Sequence, residues 1–243
     1  MTTQYKNYAE QLPYTYAFGH FTAEAVLHAR PHLARKLVLH PKLAPAWVER
    51  LTRAAAHANV PVAMNEALIV RLRKKANVRA VLILQKQLDT LHDKEPHIVL
   101  AGISQYGNLG TIMRSAVAFG FHDVALVASP LEPWNPHALR ASVGLRAHVR
   151  AAPFPTLAAY RAAFPAHHPV LLAAHHAAPL HSTPRPTGPF SVVFGPEWPA
   201  NNALAAELTA LPGTRVRIEQ EPVAESLNVA SAAAIVLHQW RGL

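Results

Sequence analysis

The chain has 243 residues, 51% of them apolar and 15% charged, with a formal net charge of +9. That balance excludes intrinsic disorder, and the absence of cysteine excludes disulfide scaffolds, thiolate metal sites and cysteine nucleophiles. The N-terminus has no basic segment followed by an apolar core, and no apolar run reaches roughly 18 residues, so a soluble cytoplasmic chain of one or two domains is expected.

The first half opens with aromatic sequence read as irregular (Tyr5, Tyr8, Tyr14, Tyr16, Phe18). A helix is expected over Thr22–Ala29 with Thr22 as N-cap, then a strand at Lys36–Leu39. Trp47, Leu51 and Ala55 recur at a four-residue interval, which predicts a helix over Ala46–Ala58. An edge-like extended stretch starts at Val60-Pro-Val62, a helix covers Glu66–Lys75 and a strand Val78–Leu84. This is a small α/β module. Residues 1–95 carry 14 Lys+Arg against 7 Asp+Glu, whereas residues 96–243 carry 9 against 7. A basic module points to a polyanion such as nucleic acid, although a solvated basic surface has the same composition. The densest run is Arg71-Leu-Arg73-Lys74-Lys75.

The polar stretch Asp89–Pro96 reads as the boundary. Beyond it His97–Ile103 is a continuous apolar run, as in a parallel strand buried on both faces. A turn at Ser104–Leu109, a helix ending near Gly120 and a strand at Asp123–Ala128 follow. Further strands are expected at Val170–Ala174, Phe190–Phe194 and Arg215–Ile218, with helices at Thr156–Phe164 and Ala200–Ala210. Pro179, Pro184, Pro186 and Pro189 make 174–189 a loop. The helix Ser226–Trp240 is apolar nearly all round, which calls for burial on more than one side. The alternation predicts a mostly parallel sheet covered by helices.

Three constellations carry candidate chemistry. Asn108-x-Gly110-x-x-x-Arg114 follows a buried strand and opens a helix, the place where parallel sheets bind ligands. It is neither a Walker A loop nor a G-x-G-x-x-G fingerprint. Arg114 falls on the outward face of that helix, as a plain surface arginine also would. Gly195-Pro-Glu197 ends a β-branched strand, where glycine lets backbone reach a flat ligand; a solvated turn has the same pattern. Glu225-Ser-Leu-Asn-Val-Ala230 follows the last strand, with Ser226 as a candidate N-cap and Asn228 in the first turn, where free N–H groups favour anions.

Together these stretches resemble the SpoU/TrmH-type RNA ribose methyltransferases of the SPOUT superfamily over about residues 97–240. Arg140-Ala-Ser-Val-Gly-Leu-Arg146 resembles a further stretch of that family, and residues 18–84 look like the small RNA-binding domain that many members carry in front. The resemblance implies two domains, 1–95 binding RNA substrate and 96–243 forming a SPOUT fold with a deep trefoil knot. It implies methyl transfer from S-adenosylmethionine to a ribose 2′-hydroxyl of tRNA or rRNA by a homodimer. It places catalysis on Arg114, Asn108, Glu197, Ser226 and Asn228. Cofactor contacts fall near Gly195, Ile218 and Leu227, with a wall from Val127–Leu131, and RNA contacts at Arg71, Arg73, Lys74 and Lys75.

The chain departs from the family pattern in two places. No glycine follows Glu197, and Gln105-Tyr-Gly stands where the family often has Asp-Pro. An RNA-binding protein without catalysis is the alternative. A nucleotide-dependent oxidoreductase is disfavoured because G-x-G-x-x-G is missing. The histidines at 167, 168, 175, 176 and 181 lack an accompanying carboxylate, so no metal site is expected.

Overall fold

The computed structural model describes residues 5–72, 77–173, 177–196, 202–221 and 223–241. The chain divides into two compact units. The first comprises residues 1–87 and 132–148, the second residues 88–131 and 149–243.

In the first unit the order is β1 (Tyr14–Phe18), α1 (His20–Ala29), β2 (Ala34–Leu39), α2 (Pro45–His57), β3 (Val62–Met64), α3 (Glu66–Leu72) and β4 (Ala80–Gln85). A short helix α5 (Pro136–Ala141) and a 3-10 turn (Leu145–His148) complete it. The sheet order is β1-β4-β2-β3, with β4 antiparallel to both neighbours and β3 parallel at the edge. Apolar residues fill both faces at period two. Leu37, Leu39, Leu82 and Leu84 join one cluster with Val26, Leu51 and Trp134, while Val38, Val81 and Ile83 join another with Tyr16 and Ile69.

Three expectations are corrected in this unit. Of the aromatic segment read as irregular, Tyr14–Phe18 is strand β1, while residues 5–13 contain no strand. Tyr14, Tyr16 and Phe18 pack on one side. Between them, Thr15 turns to the other side and donates its hydroxyl to the Trp134 carbonyl at 2.7 Å. Thr22 does not cap α1. The helix begins after Gly19, whose φ of 97° is a left-handed value open to glycine, and Thr22 is buried inside it. The division also differs from a cut at residue 95. Residues 132–148 return to the first unit because Trp134 and Leu139 lie in its core and Trp134 Nε1 donates to the Gln87 carbonyl at 2.8 Å. Gly144 is fixed there, since a Cβ would lie 2.8 Å from the Thr22 carbonyl oxygen.

The second unit holds β5 (His97–Ala101), α4 (Tyr106–Ala118), β6 (Asp123–Val127), β7 (Arg150–Phe154), α6 (Leu157–Ala163) and β8 (His168–Leu172). The short β9 (Ala178–Pro179), β10 (Phe190–Phe194), α7 (Asn202–Ala210), β11 (Thr214–Arg217) and α8 (Val229–Gln239) follow. Its seven strands run in the order β7-β6-β5-β10-β8-β11-β9, and every pair is parallel. Strands β5 and β10, apolar except for His97 and Ser191, occupy the centre and are wholly buried, as two-sided coverage requires. Val99, Ala101 and Val193 face α6 and α7 on one side. Helices α4 and α8 pack against each other.

The polar stretch 89–96, read as the boundary, is tied into the second unit. Asp89 accepts from Ala151 N at 3.1 Å, His92 N donates to Asp123 at 3.0 Å, and the Asp93 carbonyl meets His167 Nε2 at 2.8 Å. Helix α8 is also corrected. It begins at Val229, so Ser226 lies before it, and the cap is Asn228, whose side chain accepts from Ala230 N and Ser231 N. It is not apolar all round: Val229, Ala233, Val236 and Leu237 are buried, while Ser231, Ile235 and His238 are exposed.

Candidate active site

The strand order reverses at β5 and β10. From β5 the chain builds outward through β6 and β7, and on the other side β10 inserts between β5 and β8. In open parallel sheets a ligand crevice forms beyond the strand C-termini at such a switch. The second unit has a cavity of about 410 Å³ there. Leu172 and Ala173 end β8, Phe194–Pro196 end β10, Ile218 and Gln220 follow β11, Ser226–Val229 lead into α8, and Gln105 precedes α4; all line it. No Lys, Arg, Asp or Glu lines it among the described residues. Its polar groups are amides, a hydroxyl and backbone, which suits a ligand read by shape and hydrogen bonds.

The structure brings together six of the eight residues read from the sequence as catalytic or cofactor-binding. Gly195, Ile218, Leu227, Ser226 and Asn228 all line the cavity. Asn108 joins them indirectly: Asn228 Nδ2 donates to Asn108 Oδ1 at 3.2 Å across 120 residues of chain. Asn108 and Gly110 lie within α4 rather than in a loop before it, because the helix starts at Tyr106. Gln105 is then the residue at the helix entrance, and its own side chain does not cap the helix. The N-termini of α4 and α8 thus both open toward this cavity, each with a partial positive charge from its peptide dipoles.

Arg114 stands apart. Six residues along α4 at about 100° each turn it roughly 120° from Asn108. Leu109, Ile112, Met113 and Ala116 take the buried side of α4, and Arg114 is exposed and does not line the cavity. The expected wall at Val127–Leu131 is not part of the lining either; Val127 ends β6, and the Ser129 hydroxyl donates to the Ile103 carbonyl at 2.6 Å. Glu197 lies outside the described residues, as do Arg73, Lys74 and Lys75. Arg71 ends α3 in the first unit, exposed, and donates to the Tyr5 carbonyl at 2.9 Å. Sequence reasoning did not assign Gln105, Gln220 or Phe194 to a site. The rule that ligands gather at strand C-termini was the signal that reaches them.

The other end of this sheet is polar. His97 begins β5 and shares a buried network: its Nδ1 lies 2.8 Å from the Tyr160 hydroxyl, which lies 2.6 Å from Ser191 Oγ. His167 Nδ1 is 3.0 Å from that same Ser191 hydroxyl. Burial pushes the His97 pKa down to about 4, lowers that of His167 and raises that of Tyr160. Beside them Arg150 binds Asp123 through two bonds, Nε to Oδ1 at 2.7 Å and Nη2 to Oδ2. The remaining histidines do not gather. His168 meets the Thr214 hydroxyl, His181 pairs with Glu219, and His175 and His176 lie outside the described residues. Among the described residues no three His, Asp or Glu side chains are placed to hold a metal ion.

A parallel α/β unit with a cavity at its topological switch, lined by no charged side chain among the described residues, belongs to the broad class of open sheets that bind ligands at the strand C-termini. Comparison with known proteins narrows this. The model of the SpoU rRNA methylase family matches residues 95–238, and the chain belongs to that family of RNA methyltransferases. A relative described as an uncharacterised tRNA/rRNA methyltransferase of Synechocystis is 27% identical over 213 residues, covering 81% of this chain and 72% of its own. Among solved structures, the SpoU methyltransferase AviRb from Streptomyces viridochromogenes, in complex with AdoMet, shares the fold. Its TM-score is 0.76 at 20% identity, over 94% of this chain and 89% of that one. An AdoMet-bound rRNA methyltransferase from Sinorhizobium meliloti gives 0.76 at 23% identity, over 94% and 87%. Among the described residues no helix is long and apolar enough to cross a membrane.

Proposed function

We propose that this chain transfers a methyl group from S-adenosylmethionine to a ribose 2′-hydroxyl of tRNA or rRNA. The observation that carries the reading is the meeting, at one 410 Å³ cavity, of Gly195, Ile218 and Leu227 with Ser226 and Asn228. The size lies within the roughly 300–1,000 Å³ of small-molecule sites. Backbone at the ends of β10 and β11 fits a flat heterocycle, and the two helix N-termini fit a carboxylate. Two structures of similar fold have AdoMet bound. S-adenosylmethionine supplies an electrophilic methyl carbon on a sulfonium.

The chain's own task is to orient the ribose and deal with its proton. Asn108 and Asn228 hold each other at the cavity edge, which leaves Asn228 Oδ1 committed to capping α8. An arginine guanidinium offers only donors and no acceptor lone pair, so Arg114 does not serve as a simple proton acceptor. In this reading it orients the phosphate of the target nucleotide and stabilises charge developing on the 2′-oxygen.

Since Arg114 does not line its own chain's cavity, the reading includes a homodimer in which Arg114 serves a second copy's site. Ile235, 42% exposed on α8, is the apolar residue such an interface would cover. The reading also includes a trefoil knot, formed where the chain passes from β11 to α8. The basic first unit binds the RNA, with Arg71 and the neighbouring Arg73, Lys74 and Lys75 as contacts, and Glu197 assists catalysis. A cytoplasmic setting goes with such a substrate.

The test is transfer of labelled methyl groups to total tRNA and to rRNA, followed by digestion and mass spectrometry of nucleosides. A 2′-O-methylnucleoside is expected; a base-methylated product would sink the ribose assignment. The reading without catalysis draws on Trp198-Pro199 in place of glycine after Glu197. Calorimetric titration with S-adenosylmethionine separates the two, since that reading predicts no heat of binding.

A further inference from the structure

Three rings are gathered on the surface of the first unit. His20 and Phe21 open α1, and Trp47 lies in the first turn of α2. The His20 and Trp47 centroids are 4.2 Å apart, Phe21 and Trp47 4.9 Å, and His20 and Phe21 4.5 Å. Trp47 is half-buried against the core, which holds it in place, while Phe21 is 56% exposed. The Arg50 guanidinium lies 4.9 Å from the Trp47 centroid and also bonds Glu24, so its charge is matched locally.

An exposed phenylalanine beside a fixed tryptophan is an unsatisfied apolar surface that wants a flat partner. The partner's charge is set by the surroundings. The first unit carries 15 Lys+Arg against 5 Asp+Glu, a net +10. Lys42, in the loop that leads into α2, and Arg53, one turn beyond Arg50 and paired to Glu49, are both exposed. A flat apolar group carried on a polyanion is a nucleobase, and to offer its face it must be unpaired.

We infer that His20, Phe21 and Trp47 form a stacking platform for unpaired bases of the RNA substrate. The first unit then selects loops or single-stranded segments, whereas its general positive charge attracts any RNA. Burial lowers the pKa of His20, which keeps its ring uncharged at neutral pH and suited to stacking. This inference rests on the proposal that the chain acts on RNA.

The experiment measures fluorescence anisotropy of the full chain with a fluorescein-labelled RNA of about ten nucleotides, single-stranded and annealed to its complement. Phe21→Leu keeps an apolar side chain but removes the π-face. It is expected to weaken single-strand binding about tenfold and leave duplex binding unchanged, and Phe21→Tyr to restore the single-strand affinity. Equal losses for both RNAs, or none, would overturn the platform. So would an unchanged RNA affinity accompanied by a lower mass in light scattering, which would mark the cluster as a contact between copies. If the unaltered chain binds neither RNA, the RNA reading itself falls and the platform with it. If it binds both and Phe21→Leu changes nothing, the platform alone is removed.

Discussion

The two units differ in charge and in sheet architecture together. The first has a mixed four-stranded sheet and a net charge of +10, while the second has a seven-stranded all-parallel sheet with 8 Lys+Arg against 9 Asp+Glu, a net −1. Cutting the sequence at residue 95 gives only +7 and +2. The sharper contrast appears once Leu88–Glu95 is counted with the second unit and residues 132–148 with the first. The basic excess is thus a property of one folded body, and the cavity belongs to the other. Under the proposed function, attraction to RNA and recognition of S-adenosylmethionine fall on surfaces that can be altered separately.

The largest expected effect tests the reassigned segment. Trp134 is 2% exposed and in contact with the first unit's core, with Arg146 stacked 4.0 Å from its ring centroid. Trp134→Ala should destabilise the chain by about 3–5 kcal/mol. Urea unfolding measures this, and a change under about 1 kcal/mol would return residues 132–148 to the second unit. On the catalytic side, Arg114→Ala should lower methyl transfer about 10²–10³-fold while leaving calorimetric binding of S-adenosylmethionine to the cavity unchanged. Loss of cofactor binding instead would place Arg114 in a role that its exposed position does not support.

Acid should act on the second unit first. An unfolded chain protonates His97 near its ordinary 6.5, whereas the folded chain holds it neutral down to about 4. Its contribution is full above about pH 6.5 and is lost as pH falls toward 4, about 3 kcal/mol over that window. His167, lowered by burial beside it, acts in the same direction. Urea midpoints at pH 7.5 and 4.5, compared with those of His97→Gln, test this; an equal acid loss in the variant would assign the effect elsewhere. The smallest expected change comes from Asn228→Ala. Loss of the cap should cost about 1 kcal/mol, and the released Asn108 should weaken binding at the cavity.

Much of the second unit was legible because parallel strands buried on both faces leave continuous apolar runs. The strand Phe190–Phe194 is read to the residue, and His97–Ala101 falls within its expected span. Strand β7 escaped notice because Arg-Ala-Ala-Pro-Phe has a proline and no β-branched residue; it is tolerated because β7 lies at the sheet's edge. Strand β1 was legible in principle, with aromatics at 14, 16 and 18 on a period of two. The start of α8 was displaced because Ser226 and Asn228 are both good caps, and only the fold decides that Asn228 meets Ala230 N. Of the candidate site, Gly195, Ile218, Ser226, Leu227 and Asn228 were reached through motif resemblance, whereas Gln105, Gln220 and Phe194 were not. The separation of Arg114 from the cavity was not legible either, because it depends on how far α4 extends upstream of Asn108.

The place of β10 has a consequence for how the molecule is made. Strands β5, β6 and β7 can pair with one another as soon as residue 154 has emerged during synthesis. Strand β8 emerges next but has no neighbour among them, because its partners are β10 and β11. Until Phe190–Phe194 arrives and fills the space between β5 and β8, the growing sheet ends at an apolar, unpaired edge of β5. Nor can the first unit close early, since Trp134 is delivered long after β4. Both bodies therefore depend on contacts distant in sequence, which slows folding and exposes a sticky edge while it waits. Acquisition of the native state should accordingly lag until nearly the whole chain is available, and a chaperone that shields the β5 edge should raise the yield of active molecules.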